Sequence, residues 1–197
     1  YLLDNAEVNN WSITVADFSE ELAKQAVNNH PNAKAIFFNV TDVVQRENEI
    51  TLADIVISML PPAMHIMVAE DCVRLGKNLV TASYVSKEIL ALDEKAKKAG
   101  VLLLNEIGLD PGIDHMSAMQ VIDQIKENGG ELTSFKSFCG GLVHPDYDNN
   151  SWNYKFTWNP RNVVLAGQGT AQYIKQGKYK YIPYHKLFER TEQMSIL

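Results

Sequence analysis

The chain has 197 residues, 46% of them hydrophobic and 21% charged, and a net charge of −6. That length and mix suit one or two globular domains with a proper core. The acidic balance argues against nucleic acid or an anionic membrane surface as a partner.

The longest apolar stretch, residues 55–69, is broken by Pro61-Pro62 and His65 and is too short to span a bilayer. Cys72 and Cys139 lie far apart and give neither a disulfide framework nor zinc-ligand spacing, so no metal is expected. No signal peptide is expected, and a reducing, cytoplasmic compartment fits.

Tyr1 to Asn5 reads as the last turn of a helix already under way. Residues 11–16, rich in β-branched and aromatic side chains, predict a strand that ends at Asp17. Ser19 then caps a helix with Leu22, Ala23, Ala26 and Val27 on one face. His30-Pro31-Asn32 breaks it. Residues 35–40 form the next strand, and Thr41 or Asp42 caps a short polar helix to about Thr51. Residues 54–60 are almost wholly apolar and predict a central strand buried on both faces. Pro61-Pro62 opens a helix to Leu75 that Gly76 ends. A strand over 78–82, a helix from Ser86 to Ala99 stopped by Gly100, and a strand over 101–104 follow.

This alternation predicts a doubly wound parallel α/β sheet with helices on both faces. The pattern changes after about Ile113. A helix runs to about Asn128 and ends at Gly129-Gly130. Residues 132–139 alternate polar and apolar, as do the aromatics Trp152, Tyr154, Phe156 and Trp158, so both stretches predict antiparallel strands of a second, α+β domain.

In an open parallel sheet, ligands bind at the C-terminal ends of the strands. Those ends carry Asp17, then Asn39 and Val40, then Ser58, Met59 and Leu60, then Ser83 and Tyr84, and finally Glu106 to Asp110. Asp17 suits the hydrogen bonds of an adenine ribose and repels a 2′-phosphate, which favours NAD; in isolation it would suit the cap of the following helix as well, but within this strand–helix series the ribose reading is preferred. The glycine-rich turn that accompanies such an acid would fall before Tyr1. Tyr84 is a proton donor to a substrate or a packing residue. Asp110 sits before Pro111-Gly112, where packing does not call for a carboxylate; Glu106 and Asp114 compete with it, and Asp114 also suits a helix cap. His115 reads as structural. Arg161 suits either a carboxylate ligand or a surface contact.

The run Asn105-Glu106-Ile107-Gly108-Leu109-Asp110-Pro111-Gly112-Ile113-Asp114-His115 resembles the signature turn of the glutamate-forming saccharopine dehydrogenase (saccharopine reductase) family. Ser83-Tyr84, Ser137-Phe138-Cys139-Gly140-Gly141-Leu142, and Tyr154-Lys155-Phe156-Thr157-Trp158 through Arg161 follow that family's order and spacing. The resemblance implies a Rossmann-like dinucleotide-binding domain over 1–113 without its first strand. It also implies part of a substrate domain over 114–197, and a homodimer.

The implied reaction is NAD(P)-dependent interconversion of saccharopine with glutamate and 2-aminoadipate 6-semialdehyde, through an imine. By the same resemblance Tyr84, Asp110 and Cys139 are catalytic, and Ser83, Tyr84 and Asp110 bind substrate. Asp17, Phe18, Ser19, Asn39, Val40, Leu60 and Trp158 contact the cofactor. Fungal members carry a Cys-Arg-like pair after the second strand, suited to a 2′-phosphate. This chain has Asp17-Phe18 there, so the cofactor expectation is NAD, favoured by Asp17, or NADP. The alternatives are a related amine dehydrogenase of lysine or carboxynorspermidine type and a non-catalytic Rossmann-fold binding module. Both chain ends suggest a fragment.

Overall fold

The structure is a computed structural model that describes residues 1–157 and 159–193. The chain divides into two compact units, Tyr1–Ser137 and Phe138–Leu197.

The first unit alternates as the sequence predicts. A short turn leads to α1 (Ala6–Asn9), which takes the place of the helix end expected at residues 1–5. Then follow β1 (Ile13–Asp17), α2 (Glu20–Val27), β2 (Ala33–Phe37), α3 (Val43–Leu52) and β3 (Ile55–Ser58). A single 3₁₀ turn, Pro62–Met64, precedes α4 (His65–Leu75). The unit continues with β4 (Asn78–Thr81), α5 (Lys87–Leu90), α6 (Asp93–Ala99), β5 (Leu103–Leu104) and α7 (Ile113–Glu127). The boundary read from the sequence, 113/114, falls at the start of α7, inside this unit.

Local chemistry accounts for several helix ends. The Ser19 hydroxyl accepts from the Leu22 amide, the Asp42 carboxylate from Gln45 and the Ser86 hydroxyl from Ile89, each satisfying a first-turn N–H. Gly76 and Gly100 close α4 and α6 with φ of 70° and 67°, in the left-handed region where a Cβ is strained.

The helix expected from Ser86 to Ala99 is two helices. The Leu92 amide bonds the Ile89 carbonyl at 3.0 Å, a tighter i→i+3 turn that buries both Ile89 and Leu92.

All strand pairing in this unit is parallel. β1 pairs with β2, Ile13 opposite Ala33 and Asp17 opposite Phe37. A separate sheet has the order β3-β4-β5, with Ser58 opposite Thr81 and Leu79 opposite Leu103. Among the described residues no ladder joins β1 to β3. In the standard order of a doubly wound sheet another strand lies between these two.

The core lies between β4 and helices α3 to α6. Leu79, Ala69 and Cys72 are fully enclosed, and burial pushes the Cys72 thiol up to about 12, so it is an inert core residue. A charged clamp joins two of the helices. Arg46 of α3 donates to the Asp71 carboxylate of α4 and to the Val40 carbonyl, each at 2.5 Å. Arg74 completes the clamp, with 2.7 Å to Asp71 and 2.9 Å to Glu47.

Two burial expectations fail. β3 is not enclosed on both faces: Val56 and Ser58 face inward, but Ile55 and Ile57 are about half exposed. On α2, Ala23 and Val27 are buried while Leu22 and Ala26 are exposed. Apolar composition gives a strand or helix the means to be covered, but a covering element must come from elsewhere, and none among the described residues covers these faces. The apolar side of α7 is likewise open, with Met116, Met119 and Val121 about half exposed.

The second unit contains α8 (Pro160–Ala166) and a hairpin of β6 (Ala171–Lys175) and β7 (Lys178–Ile182). Gln176 and Gly177 turn the hairpin with φ of 53° and 69°, the two positive values of a type I′ turn. The strands expected over 132–139 and 152–158 are not formed among the described residues; those stretches carry no ladder. Alternation makes a segment able to pair, whereas a ladder also needs a neighbouring backbone in register.

Candidate active site

The parallel topology brings the loop after β4 and the turn after β5 to one edge, and hydrogen bonds fasten them together. The Glu106 amide donates to the Ser83 carbonyl at 3.0 Å, and the Ile107 amide to the Thr81 carbonyl at 3.2 Å. The Glu106 carboxylate accepts from the Val85 amide at 3.1 Å, so this acid braces the backbone that carries Tyr84. Glu106 does so from φ of 62°, unusual for a residue other than glycine.

The turn from Gly108 to Asp114 is closed on itself. The Gly108 amide bonds the Pro111 carbonyl at 2.8 Å, and the Ile113 amide bonds the Gly108 carbonyl at 2.9 Å. The Asp110–Pro111 peptide is cis. Gly112 has φ of 146°, and a Cβ there would stand 2.3 Å from the Gly108 carbonyl oxygen; only glycine allows the two strands of the turn to meet this closely.

The Asp114 carboxylate accepts from the Gly112 amide and from the His115 ring, each at 2.8 Å. Partial burial alone would raise its pKa, but these hydrogen bonds outweigh burial and hold it below the usual carboxylate value. Asp114 and His115 are therefore occupied in shaping the turn. Asp110 is different: it is exposed, and its carboxylate has no hydrogen-bond partner among the described residues. Tyr84 is also exposed, at 65%.

A pocket of about 250 Å³ opens at the ends of β3 and β4. Ser58, Leu60, His65, Ala82, Ser83 and Ile107 are among its lining residues. His65, the first residue of α4, is 2% exposed and reaches both strand ends. Its Nδ1 lies 2.8 Å from the Ser58 hydroxyl and its Nε2 2.8 Å from the Ser83 hydroxyl. Burial lowers its pKa, which favours the neutral ring. In the sequence His65 stands out only as an interruption of an apolar stretch. The available signal was a polar side chain at a helix start within reach of a serine at a strand end.

At the other sheet, Asp17 ends β1 and its carboxylate accepts from the Ser19 amide at 2.7 Å, which turns the chain into α2. Its exposed side chain can still accept from a ligand with its second oxygen. Phe18, 71% exposed, packs on Phe37 with ring centroids 5.4 Å apart. The Asn39 side-chain oxygen accepts from the Thr41 amide and hydroxyl, its backbone amide donates to the Gln45 side-chain oxygen, and its Nδ2 has no partner among the described residues. The Val40 side chain belongs to the core. Leu60 is partly buried against that core and borders the pocket.

In the second unit Cys139 is exposed and forms no disulfide, followed by Gly140-Gly141. Trp158 lies outside the described residues. Arg161 is exposed in the first turn of α8.

Parallel strands joined through helices, with acceptors, donors and a pocket at their C-terminal ends, define a dinucleotide-binding α/β chain. The family model for the saccharopine dehydrogenase NADP binding domain matches residues 1–104, and that for the saccharopine dehydrogenase C-terminal domain matches residues 108–197. The chain belongs to the saccharopine dehydrogenase family.

Among relatives, it is 38% identical to the alpha-aminoadipic semialdehyde synthase of Arabidopsis thaliana, over 98% of this chain and 18% of that protein. It is 39% identical to the NADP(+), L-glutamate-forming saccharopine dehydrogenase of Schizosaccharomyces pombe, over 92% of this chain and 40% of that protein. The solved structure of apo saccharopine dehydrogenase (L-Glu forming) from Saccharomyces cerevisiae matches with a TM-score of 0.81 and 35% identity, covering 100% of this chain and 44% of that one. The chain thus spans less than half the length of these relatives. The family model and the fungal relatives' names carry NADP; they lend no support to the NAD preference read from Asp17.

Proposed function

We propose that the protein carrying this chain interconverts saccharopine with glutamate and 2-aminoadipate 6-semialdehyde, using NADP(H). The observation that carries the reading is the fastening of the Ser83–Tyr84 loop to the Gly108–Gly112 turn through Glu106, at the ligand-binding edge of a family-matched sheet. The residues present suit a dinucleotide: an acid and a donor at the ends of β1 and β2, and an apolar-walled pocket with hydroxyls at the ends of β3 and β4. When bound, the nicotinamide supplies the hydride acceptor or donor.

In the oxidative direction, hydride leaves the carbon beside the secondary amine as the amine loses a proton. Water then adds to the resulting imine, and the C–N bond breaks to give amine and aldehyde. The chain must therefore manage the amine proton and activate water. Tyr84 and Asp110 suit these two tasks, both being exposed on the two fastened loops. Ser83 suits a substrate oxygen. Cys139 is assigned to shaping the substrate site rather than to nucleophilic attack, with the dinucleotide-binding part over 1–113 and the substrate part over 114–197. A homodimer and a reducing, cytoplasmic setting complete the reading.

The test is NADPH consumption by the full-length protein with glutamate and 2-aminoadipate 6-semialdehyde, set against lysine-type and carboxynorspermidine-type amine–aldehyde pairs. Turnover with the glutamate pair at least tenfold above the others supports the reading. Equal or greater turnover with another pair transfers the chain to that amine, and dinucleotide binding without any turnover favours a binding module. Light scattering of the same sample checks the dimer.

A further inference from the structure

A serine hydroxyl can donate or accept, and for Ser83 the residue behind it decides which. A neutral imidazole has one N–H donor and one acceptor nitrogen. His65 spends both on serines, so one serine donates to the ring and the other accepts from it. Ser58 is 5% exposed, and its hydroxyl has the His65 ring as its sole side-chain partner among the described residues. If Ser58 accepted from Nδ1–H, its own proton would be a donor in a 5%-exposed position with no acceptor among the described residues. Ser58 therefore donates to Nδ1, which places the ring proton on Nε2. The Nε2–H then donates to Ser83, which keeps its own O–H uncommitted. Ser83 is only partly buried and borders the pocket.

We propose that His65 is a positioning residue: through the chain Ser58–His65–Ser83 it turns the Ser83 hydroxyl into a fixed donor for an acceptor oxygen of the pocket's ligand, a carboxylate or carboxamide. This rests on the dinucleotide-dependent dehydrogenase reading and deepens it. Burial of the ring, which disfavours the imidazolium, supports the assignment, because a doubly protonated ring would leave Ser58 without an acceptor.

Two measurements on the full-length protein test it. Histidine-selective ¹⁵N labelling reports the tautomer of His65 without any assay of activity. The neutral Nε2–H form near pH 7 is expected; an Nδ1–H form or a charged ring overturns the proposal. The second measurement is a double-mutant cycle of Ser83→Ala and His65→Phe. Each single change is expected to weaken the ligand by about tenfold, the scale of one hydrogen bond to a charged acceptor, and the double change to be no worse than either.

A rise in KM for saccharopine with NADPH affinity held identifies the substrate carboxylate as the acceptor. A rise in the NADPH Kd identifies the nicotinamide carboxamide. Additive losses, or no loss from Ser83→Ala in either quantity, overturn the proposal. Absence of wild-type turnover would remove the dehydrogenase reading alone, since the tautomer and the NADPH Kd are still measured. If His65→Phe does not fold, the wild-type tautomer and Ser83→Ala decide.

Discussion

At the scale of single residues, what separates the acids of the site is whether their oxygens are already engaged. Glu106 is bound to the Val85 amide, and Asp114 to Gly112 and His115. Asp110 stands clear of both duties, which is why it is assigned the proton or water chemistry. Asp110→Asn keeps the size and removes the charge, so it should lower kcat by roughly 10²-fold or more while NADPH affinity stays within about twofold. A loss under about threefold would make Asp110 a turn-former like Asp114. Asp17 poses a different question, because one of its oxygens already serves the Ser19 amide. A carboxylate near a 2′-phosphate costs about 1 kcal/mol at 4 Å in water, so Asp17→Ala should raise kcat/KM for NADP(H) relative to NAD(H) by about fivefold. An unchanged ratio would mean that Asp17 only shapes the turn.

At the scale of elements, the packing of α3 on α4 depends on a buried ion cluster. Burial alone would raise the pKa of Asp71, but hydrogen bonds and charge from Arg74 and Arg46 outweigh it and hold the carboxyl below its usual value. A carboxylate depressed in the folded state contributes stability that is complete above its unfolded pKa and is lost as pH falls through the folded one. The clamp should therefore be intact at neutral pH and fail only in acid, below the usual aspartate range. Asp71→Ala leaves the buried Arg46 with the Val40 carbonyl but without its carboxylate partner and should cost roughly 3–5 kcal/mol in chemical denaturation. Its acid-side loss of stability should also be shallower than that of the parent. A cost below about 1 kcal/mol would show that Arg46 finds water instead.

At the scale of the whole chain, apolar surface is left open in several places. Ile55 and Ile57 of β3 are about half exposed, and α7 buries none of its residues. One edge each of β1 and β3 carries no ladder among the described residues. Open edges and apolar faces invite association. Among the described residues no glycine-rich strand–helix turn is present to cradle a diphosphate. The polypeptide expressed by itself should accordingly self-associate in light scattering and bind NADPH no better than weakly. Saturable binding with Kd near about 1 μM, followed by fluorescence, would show that the remaining strand ends suffice.

The sequence by itself determined the features whose atoms are close together in the chain. Ser19 and Ser86 cap helices because the amides they accept from lie three residues ahead; the same rule left Thr41 or Asp42 for the third helix, and the structure uses Asp42. Gly76 and Gly100 stop helices because their own backbone does the turning. The strand–helix alternation, and with it the edge carrying Ser83, Tyr84 and Asp110, follows from the same short-range patterns. Tertiary structure alone decided what needs a distant partner. Alternation over 132–139 could not say whether a neighbouring strand is in register, and apolarity over 54–60 could not say that Ile55 and Ile57 have no cover. Nor could it say that His65 joins a serine seven positions behind it to one eighteen ahead. A side chain's composition gives its capacity to bond or be buried, but the partner that uses this capacity is brought to it by the folded chain.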